Sequence, residues 1–285
     1  MSLKDPIIRN ISDTALWIAA YRAYESERPD AHFVDPFARK LAGERGLQII
    51  QSDKFLPKIA WPFIARTYLL DEIVLNHVRE GGDMVINLAA GLDTRPYRLD
   101  LPTDLQWIEV DLPGILDYKE RKLKGEKPVC KLEHVRQDLF EIENRNILFE
   151  NLGTRCNNAL VITEGLLVYL EPEVVSRLAE DLANIKSIRK WATDLTAPAV
   201  VELMKKRMKI DMVKAGIPFK FAPNEGVHFF EPLGWKAIKV GSQMKTARKL
   251  KRLPLSLWFW SMLPDPEPPF GRKPWSGVCL FEKTN

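Results

Sequence analysis

"MVINLAAGLDTRPYRLDLP", residues 84–102, decides how this chain is read. An apolar run of strand length ends in a single glycine, Gly91, and then turns polar at Asp93-Thr94-Arg95-Pro96. Nicotinamide and flavin folds place G-x-G-x-x-G at such a turn, so that the backbone can approach a pyrophosphate. Here Ala89-Ala90-Gly91-Leu92-Asp93 offers one glycine beside an acid. That loop lets a nucleoside lie close to the backbone without a phosphate cradle, and its acids repel a pyrophosphate. The implied ligand is a nucleoside without phosphates that carries positive charge.

Outward from this stretch the chain alternates. "LQWIEVDLP" (105–113), "EHVRQDLF" (133–140), "NALVITEGLLVYL" (158–170) and "KWATDLTAP" (190–198) read as strands. "ILDYKERKLKG" (115–125) and the amphipathic "EPEVVSRLAEDLANIKS" (171–187), with Pro172 in its first turn, read as helices between them. Strands separated by helical patterns predict a parallel sheet covered on both faces, and near-continuous apolar strands agree. Upstream, residues 12–48 predict two helices, the first capped by Ser12 or Asp13 and the second ended by Gly43 or Gly46. Residues 57–80 predict a third helix, stopped by "GGD". Downstream, "VVELMKKRMKIDMVKAG" (200–216) predicts a helix, and "GWKAIKVGSQ" (234–243) and "SGVCLFEK" (276–283) the last strands. A Pro-rich insertion lies between those strands, a length of connection that is usually functional or mobile.

The chain's 285 residues suit one large α/β domain. A net charge of +4 from 42 basic and 38 acidic residues does not by itself point to nucleic acid. Cys130, Cys156 and Cys279 have neither disulfide nor CxxC spacing, so a reducing cytoplasm is expected. His32, His77, His134 and His228 show no ligand spacing, and no metal is expected. The most apolar late run, "LPLSLWFWSMLP", is about half the ~20 residues of a membrane span. Neither nucleic acid nor membrane is expected as a partner.

In an open parallel sheet, ligands bind beyond the carboxyl ends of the strands. Gly91 and Asp93 follow the first strand, Asp111 the second, Asp138 and Leu139 the third, and Glu164 and Gly165 the fourth. An aspartate there is also a common helix cap. Four consecutive strand ends with acids nevertheless converge in space. Asp111, 20 residues beyond Gly91, suits bidentate bonding to a ribose diol. S-adenosylmethionine meets these requirements, having a ribose, an adenine, an ammonium and a sulfonium. Its carboxylate needs a cation, for which Arg66 in "FIARTYLLD" is the candidate, a surface arginine being the plain alternative.

"DTALWIAAYRAYESERPDAHFVDPFARKLAG", "ARTYLLDE", "INLAAGLDTRPYRL", "IEVDLPGILDYKERKL", "RQDLF" and "VITEGLLVYL", in that order, resemble the leucine carboxyl methyltransferase-like family, in particular its bacterial S-adenosylmethionine-dependent O-methyltransferases of polyketide-type metabolites. The motifs cover roughly residues 12–180. The resemblance implies a class I methyltransferase: a Rossmann-like, seven-stranded, mostly parallel sheet with an antiparallel last strand. It implies one domain over 1–285, with an N-terminal helical cap at 1–80 and a core with insertions at 81–285. It also implies a cofactor site for S-adenosyl-L-methionine made of Arg66 at the methionine carboxylate, Ala89 and Gly91 in the loop beneath the methionyl part and ribose, Asp111 at the ribose hydroxyls, Asp138 and Leu139 at the adenine edge, and Glu164 at the ammonium or the methyl-transfer site. The branch that methylates a protein's C-terminal carboxylate has a cofactor-binding lysine in the first helix. "DTALWIAAYRA" has only Arg22 there, which argues for a small-molecule acceptor.

Methyl transfer to a carboxylate needs no base, whereas a phenol or enol needs one. His228 and Tyr169 are the candidates, and neither has a readable partner. Trp258 and Trp260 read as a lid over the acceptor or as cover for a core edge. The basic clusters "MKKRMK" and "KTARKLKR" read as solvated helix faces or, under an RNA methyltransferase reading, as phosphate contacts. Protein carboxyl methylation and a non-catalytic S-adenosylmethionine sensor are the remaining alternatives.

Overall fold

The computed structural model describes residues 11–52, 56–207 and 218–284. Seven strands form one sheet: β1 (Met84–Leu88), β2 (Gln106–Asp111), β3 (Lys131–Arg136), β4 (Ala159–Thr163), β5 (Ile188–Thr196), β6 (Trp235–Ser242) and β7 (Ser276–Lys283). Their order is β3-β2-β1-β4-β5-β7-β6. β1 to β5 pair in parallel, and β7 runs antiparallel to both neighbours. The order reverses between β1 and β4, so the crevice above their carboxyl ends is the natural ligand position.

Ten helices flank the sheet among the described residues: α1 (Ile11–Ser26), α2 (Ala38–Gln51), α3 (Trp61–Arg79), α4 (Arg95–Arg98), α5 (Pro113–Lys122), α6 (Ile142–Thr154), α7 (Pro172–Asn184), α8 (Pro198–Arg207), α9 (Gln243–Lys249) and α10 (Leu255–Trp258). β1 and β4 are buried along their whole length, as their unbroken apolar runs require. On one face Met84, Ile86, Leu88 and Val161 pack with Phe149 and Leu152 of α6 and Val175, Leu178 and Leu182 of α7. On the other, Val85, Trp107, Leu160 and Ile162 pack with Leu70, Ile73 and Val74 of α3. The helical period of these residues is what lets each helix cover the sheet with one stripe.

α1 and α2 form the cap, joined through Trp17, Tyr21, Leu41 and Ile49, and it rests on Leu92, Tyr97 and Ile115 above the strand ends. Three expectations change here. Asp13 lies inside α1 and pairs with Arg45 at 2.6 Å instead of capping the helix. Gly43, with φ 56° and ψ −171°, does end a first helical segment, but a second segment follows it directly, and Gly46 lies inside that segment, which continues to Gln51. A Cβ on Gly46 would meet the Leu16 carbonyl oxygen at 2.5 Å, so this glycine sets how closely the two helices approach. The third predicted helix begins as a 3-10 turn at Leu56–Ile59 before α3. Of the helix expected over 200–216, α8 accounts for residues up to Arg207, and the rest lies outside the described residues.

Candidate active site

A cavity of about 1120 Å³ opens above the carboxyl ends of β1 to β5. Arg66, Ala89, Gly91, Asp111, Asp138, Leu139 and Glu164, all singled out in the sequence, line it together. They come from α3 and from the ends of four strands, and the parallel register is what makes them converge.

The loop after β1 is held in place residue by residue. Gly91 has φ 55°, a conformation that costs an L side chain about 1–2 kcal/mol. Its N–H donates to Asp111 Oδ2 at 2.6 Å, while Leu112 N–H donates to Asp111 Oδ1 at 2.7 Å. From the cap, Arg22 donates to the Leu92 carbonyl at 2.6 Å and pairs with Asp35 at 2.8 Å. Asp35 in turn accepts from the Thr94 hydroxyl at 2.7 Å. "DTRP" and the "VDPF" of the cap are thus two halves of one clamp.

Arg95, buried to 2% exposure, pairs with Asp93 (2.9 Å), Glu164 (2.8 Å) and Asp71 (2.7 Å), and not with Asp111. Arg98 joins at Asp71, 2.7 Å. Arg66 is no surface arginine: its Nε is 3.0 Å from Glu164 Oε1 and its Nη1 is 3.0 Å from Asp194 Oδ2. Asp194 also accepts from the Gly165 N–H at 2.6 Å. A Cβ on Gly165 would sit 3.2 Å from Arg66 Nη1, which explains a glycine after Glu164.

The network joins three guanidiniums to four carboxylates, leaving an excess of one negative charge. Burial pushes the Asp93 carboxyl up, but Arg95 and Lys119 pull harder and hold it at about 2. Burial opposes ionisation of Glu164 as well, and Arg95 and Arg66 together keep its carboxyl below the usual range. Asp111 is different. Its burial outweighs the N–H donors from Gly91 and Leu112, and its carboxyl sits above the usual range. Among the described residues Asp111 and Asp138 form no ion pair, so both keep acceptor capacity toward the cavity. Asp138 also accepts from the Phe140 N–H at 2.9 Å, the turn-capping role of an aspartate after a strand.

Of the cavity residues that escaped the sequence reading, two bear directly on a ligand. Asp194 follows the same rule as the others, an acid near the carboxyl end of β5. Asn87 is 2% exposed and donates to Asp93 at 2.7 Å, while its Oδ1 has no protein partner. An unpartnered buried acceptor beside a cavity is a place for a ligand N–H.

No imidazole lines the cavity, although all four histidines are described. His228 is exposed and bonded to Glu231 at 2.8 Å, which removes it as a candidate base. Tyr169 does line the cavity, and burial pushes its hydroxyl up to about 12. No cluster of metal-ligating side chains occurs among the described residues, and no described helix is long and apolar enough to cross a membrane. Trp258 and Trp260 cover no core edge: they are 50% and 62% exposed, and Trp260 lines the cavity rim. Of the "KTARKLKR" cations, Lys245 pairs with Asp265, Arg248 donates to the Ser261 carbonyl, and Arg252 pairs with Glu25.

Compared with known proteins, residues 15–183 match the family model described as leucine carboxyl methyltransferase. A Streptomyces coelicolor protein provisionally named an S-adenosyl-L-methionine-dependent methyltransferase is 32% identical over 58% of this chain, and the match spans 62% of that protein's length. A Mycolicibacterium smegmatis protein with the same kind of name is 25% identical over 80% of this chain and 84% of its own length. Among solved structures, one of a provisionally named methyltransferase from Thermobifida fusca covers 99% of this chain and 97% of its own, with a TM-score of 0.57 at 16% identity. At that identity the likeness shows the fold.

Proposed function

Because this chain belongs to the leucine carboxyl methyltransferase family, we propose that it transfers a methyl group from S-adenosyl-L-methionine to a carboxylate of a small apolar acid. The observation that carries the cofactor reading is the pair of unpaired carboxylates, Asp111 and Asp138, at one end of the cavity, with the Arg66–Glu164 pair at the other. Asp111, with Gly91 fixed beneath it, accepts from a ribose diol, and Asp138 accepts from the adenine amine beside the Leu139 N–H. Arg66 takes the amino-acid carboxylate. Glu164, 3.0 Å away, takes the ammonium together with Asn87 Oδ1.

When bound, S-adenosyl-L-methionine supplies an electrophilic methyl on a sulfonium. The chain's own part is to hold the acceptor oxygen in line with it and to exclude water, a positioning effect that supplies about 7–11 kcal/mol in favourable cases. Trp17, Phe63, Val201, Phe219 and Trp275 line an apolar part of the cavity that fits the body of such an acid. The lining supports a carboxylate acceptor. Among the described lining residues there is no imidazole, and burial pushes the Tyr169 hydroxyl up to about 12, so neither usual base for a phenol is at hand. A reaction without a base needs a nucleophile that is already ionised. Three unbridged, buried cysteines suit the reducing cytoplasm we propose as its location.

Radiolabelled cofactor offered with a panel of carboxylic acids, a C-terminal peptide and matched phenols tests both halves. The expected product is a methyl ester of a small acid, which mild alkali cleaves with release of methanol. An alkali-stable ether overturns the carboxylate assignment, and a labelled peptide alone overturns the small-molecule one. Cofactor binding without label on any acceptor favours a sensor. Arg66→Ala is expected to weaken S-adenosyl-L-methionine far more than its decarboxylated analogue, and equal losses overturn the role given to Arg66.

A further inference from the structure

Residues 255–263 gather six of the exposed large apolar side chains of the described residues, including the two most exposed of them. Leu255 is 89% exposed, Phe259 67%, Trp260 62% and Met262 59%. Phe259 and Trp260 contact each other edge to face, 6.0 Å between centroids. A contiguous exposed patch of this kind marks a contact with something apolar.

The exposure is built in and is not a consequence of looseness. Ser261, 1% exposed, anchors the tip: its hydroxyl donates to the Trp258 carbonyl at 2.6 Å, and its own carbonyl accepts from Arg248 at 2.9 Å. Lys245–Asp265 ties down the following turn at 2.9 Å. The backbone is fixed while the large side chains point away from the body.

Charge identifies the occupant. Lys249, Lys251, Arg272 and Lys273 are exposed on the same insertion and form no ion pair among the described residues. Its only carboxylate besides the paired Asp265 is Glu267. Trp, Phe, Leu and Met on an insertion that also carries unpaired cations is the composition of a segment that lies in the interface of an anionic bilayer. Trp260, Leu263 and Lys273 of this insertion also line the cavity. Whatever seats the tip therefore lies against the cavity mouth.

We propose that residues 255–263 dock this protein on an anionic membrane surface, with the apolar side chains in the acyl boundary and the lysines and arginine at the headgroups. This proposal departs from the expectation of no membrane partner. It concerns a peripheral contact and stands independently of the reaction assigned to the cavity. It also gives a lipophilic acceptor a route from the bilayer to the cavity without passing through water.

The test is co-sedimentation of the full chain with vesicles of phosphatidylcholine alone and with about 30% phosphatidylglycerol, following tryptophan emission. Binding to the anionic vesicles, on the order of ten-fold or more tighter than to neutral ones and with a blue shift, is expected. Leu255→Ser with Phe259→Ser and Met262→Ser, three side chains outside the cavity lining, should reduce that binding by on the order of ten-fold or more. Lys249→Glu with Lys251→Glu should reduce it by about five-fold per cation and flatten its salt dependence. Three outcomes overturn the proposal. One is equal or absent binding to both vesicles. Another is a concentration-dependent dimer that the serine variant abolishes, which assigns the patch to a second copy. The last is anionic binding unchanged in the serine variant, which leaves only nonspecific charge attraction.

Discussion

Asp111 holds the loop after β1 against its own electrostatics, and the ligand role proposed for it draws on the same carboxylate. Its carboxylate aligns Gly91 and Leu112 through their N–H groups, yet burial raises its pKa above the usual 3.8. A raised carboxyl favours folding below its unfolded value and loses that contribution as pH rises through the folded value, so ionised Asp111 costs stability at neutrality. Ribose hydroxyl donors would offset that cost. Asp111→Ala is accordingly expected to reduce S-adenosyl-L-methionine binding below calorimetric detection. In the unaltered chain, affinity should begin to fall above pH 3.8 as the solution is acidified. Unchanged affinity in the variant would remove Asp111 from the site. Ala89 makes a complementary case. It sits at φ 55°, where an L residue is strained, and its N–H is bonded to the Val110 carbonyl at 2.8 Å. Ala89→Gly relieves the strain and partly restores the missing glycine pattern. We expect about 0.5–1 kcal/mol of added stability in urea unfolding, and a lower midpoint would show that Ala89 is not strained.

Among elements, α3 contributes more than its apolar stripe. Asp71 on its buried face holds Arg95 and Arg98, and Arg66 one turn earlier holds Glu164 and Asp194. Removing one partner from a buried ion pair leaves the other charge uncompensated, at a cost of about 3–5 kcal/mol. Asp71→Ala should therefore lower stability by about that amount even though Asp71 lies outside the cavity lining, and a loss below about 1 kcal/mol would mean that water reaches the pair. Asp93 and Glu164 are held below their ordinary values, so their contribution is present above about pH 4.5 and is lost as pH falls through the folded values, which for Asp93 is about 2. Acid unfolding in that window, followed by circular dichroism, should weaken in Asp93→Asn. The strands and their terminal acids were legible because unbroken apolar runs and abrupt polar stops survive in one dimension. α6 was not, since its sequence exposes Ile142 and Ile147 while burying Arg145, which blurs the apolar stripe. Nor could the sequence say that Arg95 would choose Asp93, Glu164 and Asp71 over Asp111. That choice depends on how α3 packs across one face of the sheet, which the sequence does not show. Asp194 was within reach of the strand-end rule, but that reading stopped at the fourth strand.

At the scale of the molecule, the cavity lies between two bodies whose stabilities need not be equal. The central strands β1 and β4 are buried on both faces, whereas the cap of α1 and α2 meets the strand ends through Leu92, Tyr97 and Ile115 and through the Arg22–Leu92 and Asp35–Thr94 bonds. Thr14, Ala15, Trp17 and Ile18 of α1 line the cavity, so ligand bound there touches cap and sheet at once. Local opening of the cap should cost less than global unfolding. A ligand that binds only the closed form should raise that opening cost by RT ln(1 + [L]/Kd), about 2.7 kcal/mol at one hundred times Kd. In hydrogen exchange, amides of α1 and α2 should slow by on the order of a hundred-fold with saturating S-adenosyl-L-methionine. Those of β1 and β4 should slow only as far as global stability rises. Arg22→Ala should speed cap exchange without ligand and weaken the cofactor in the same proportion, because a smaller closed fraction taxes apparent affinity. If α1 and α2 exchange with the sheet in both states, cap and core are one cooperative unit, and access to the cavity does not depend on the cap.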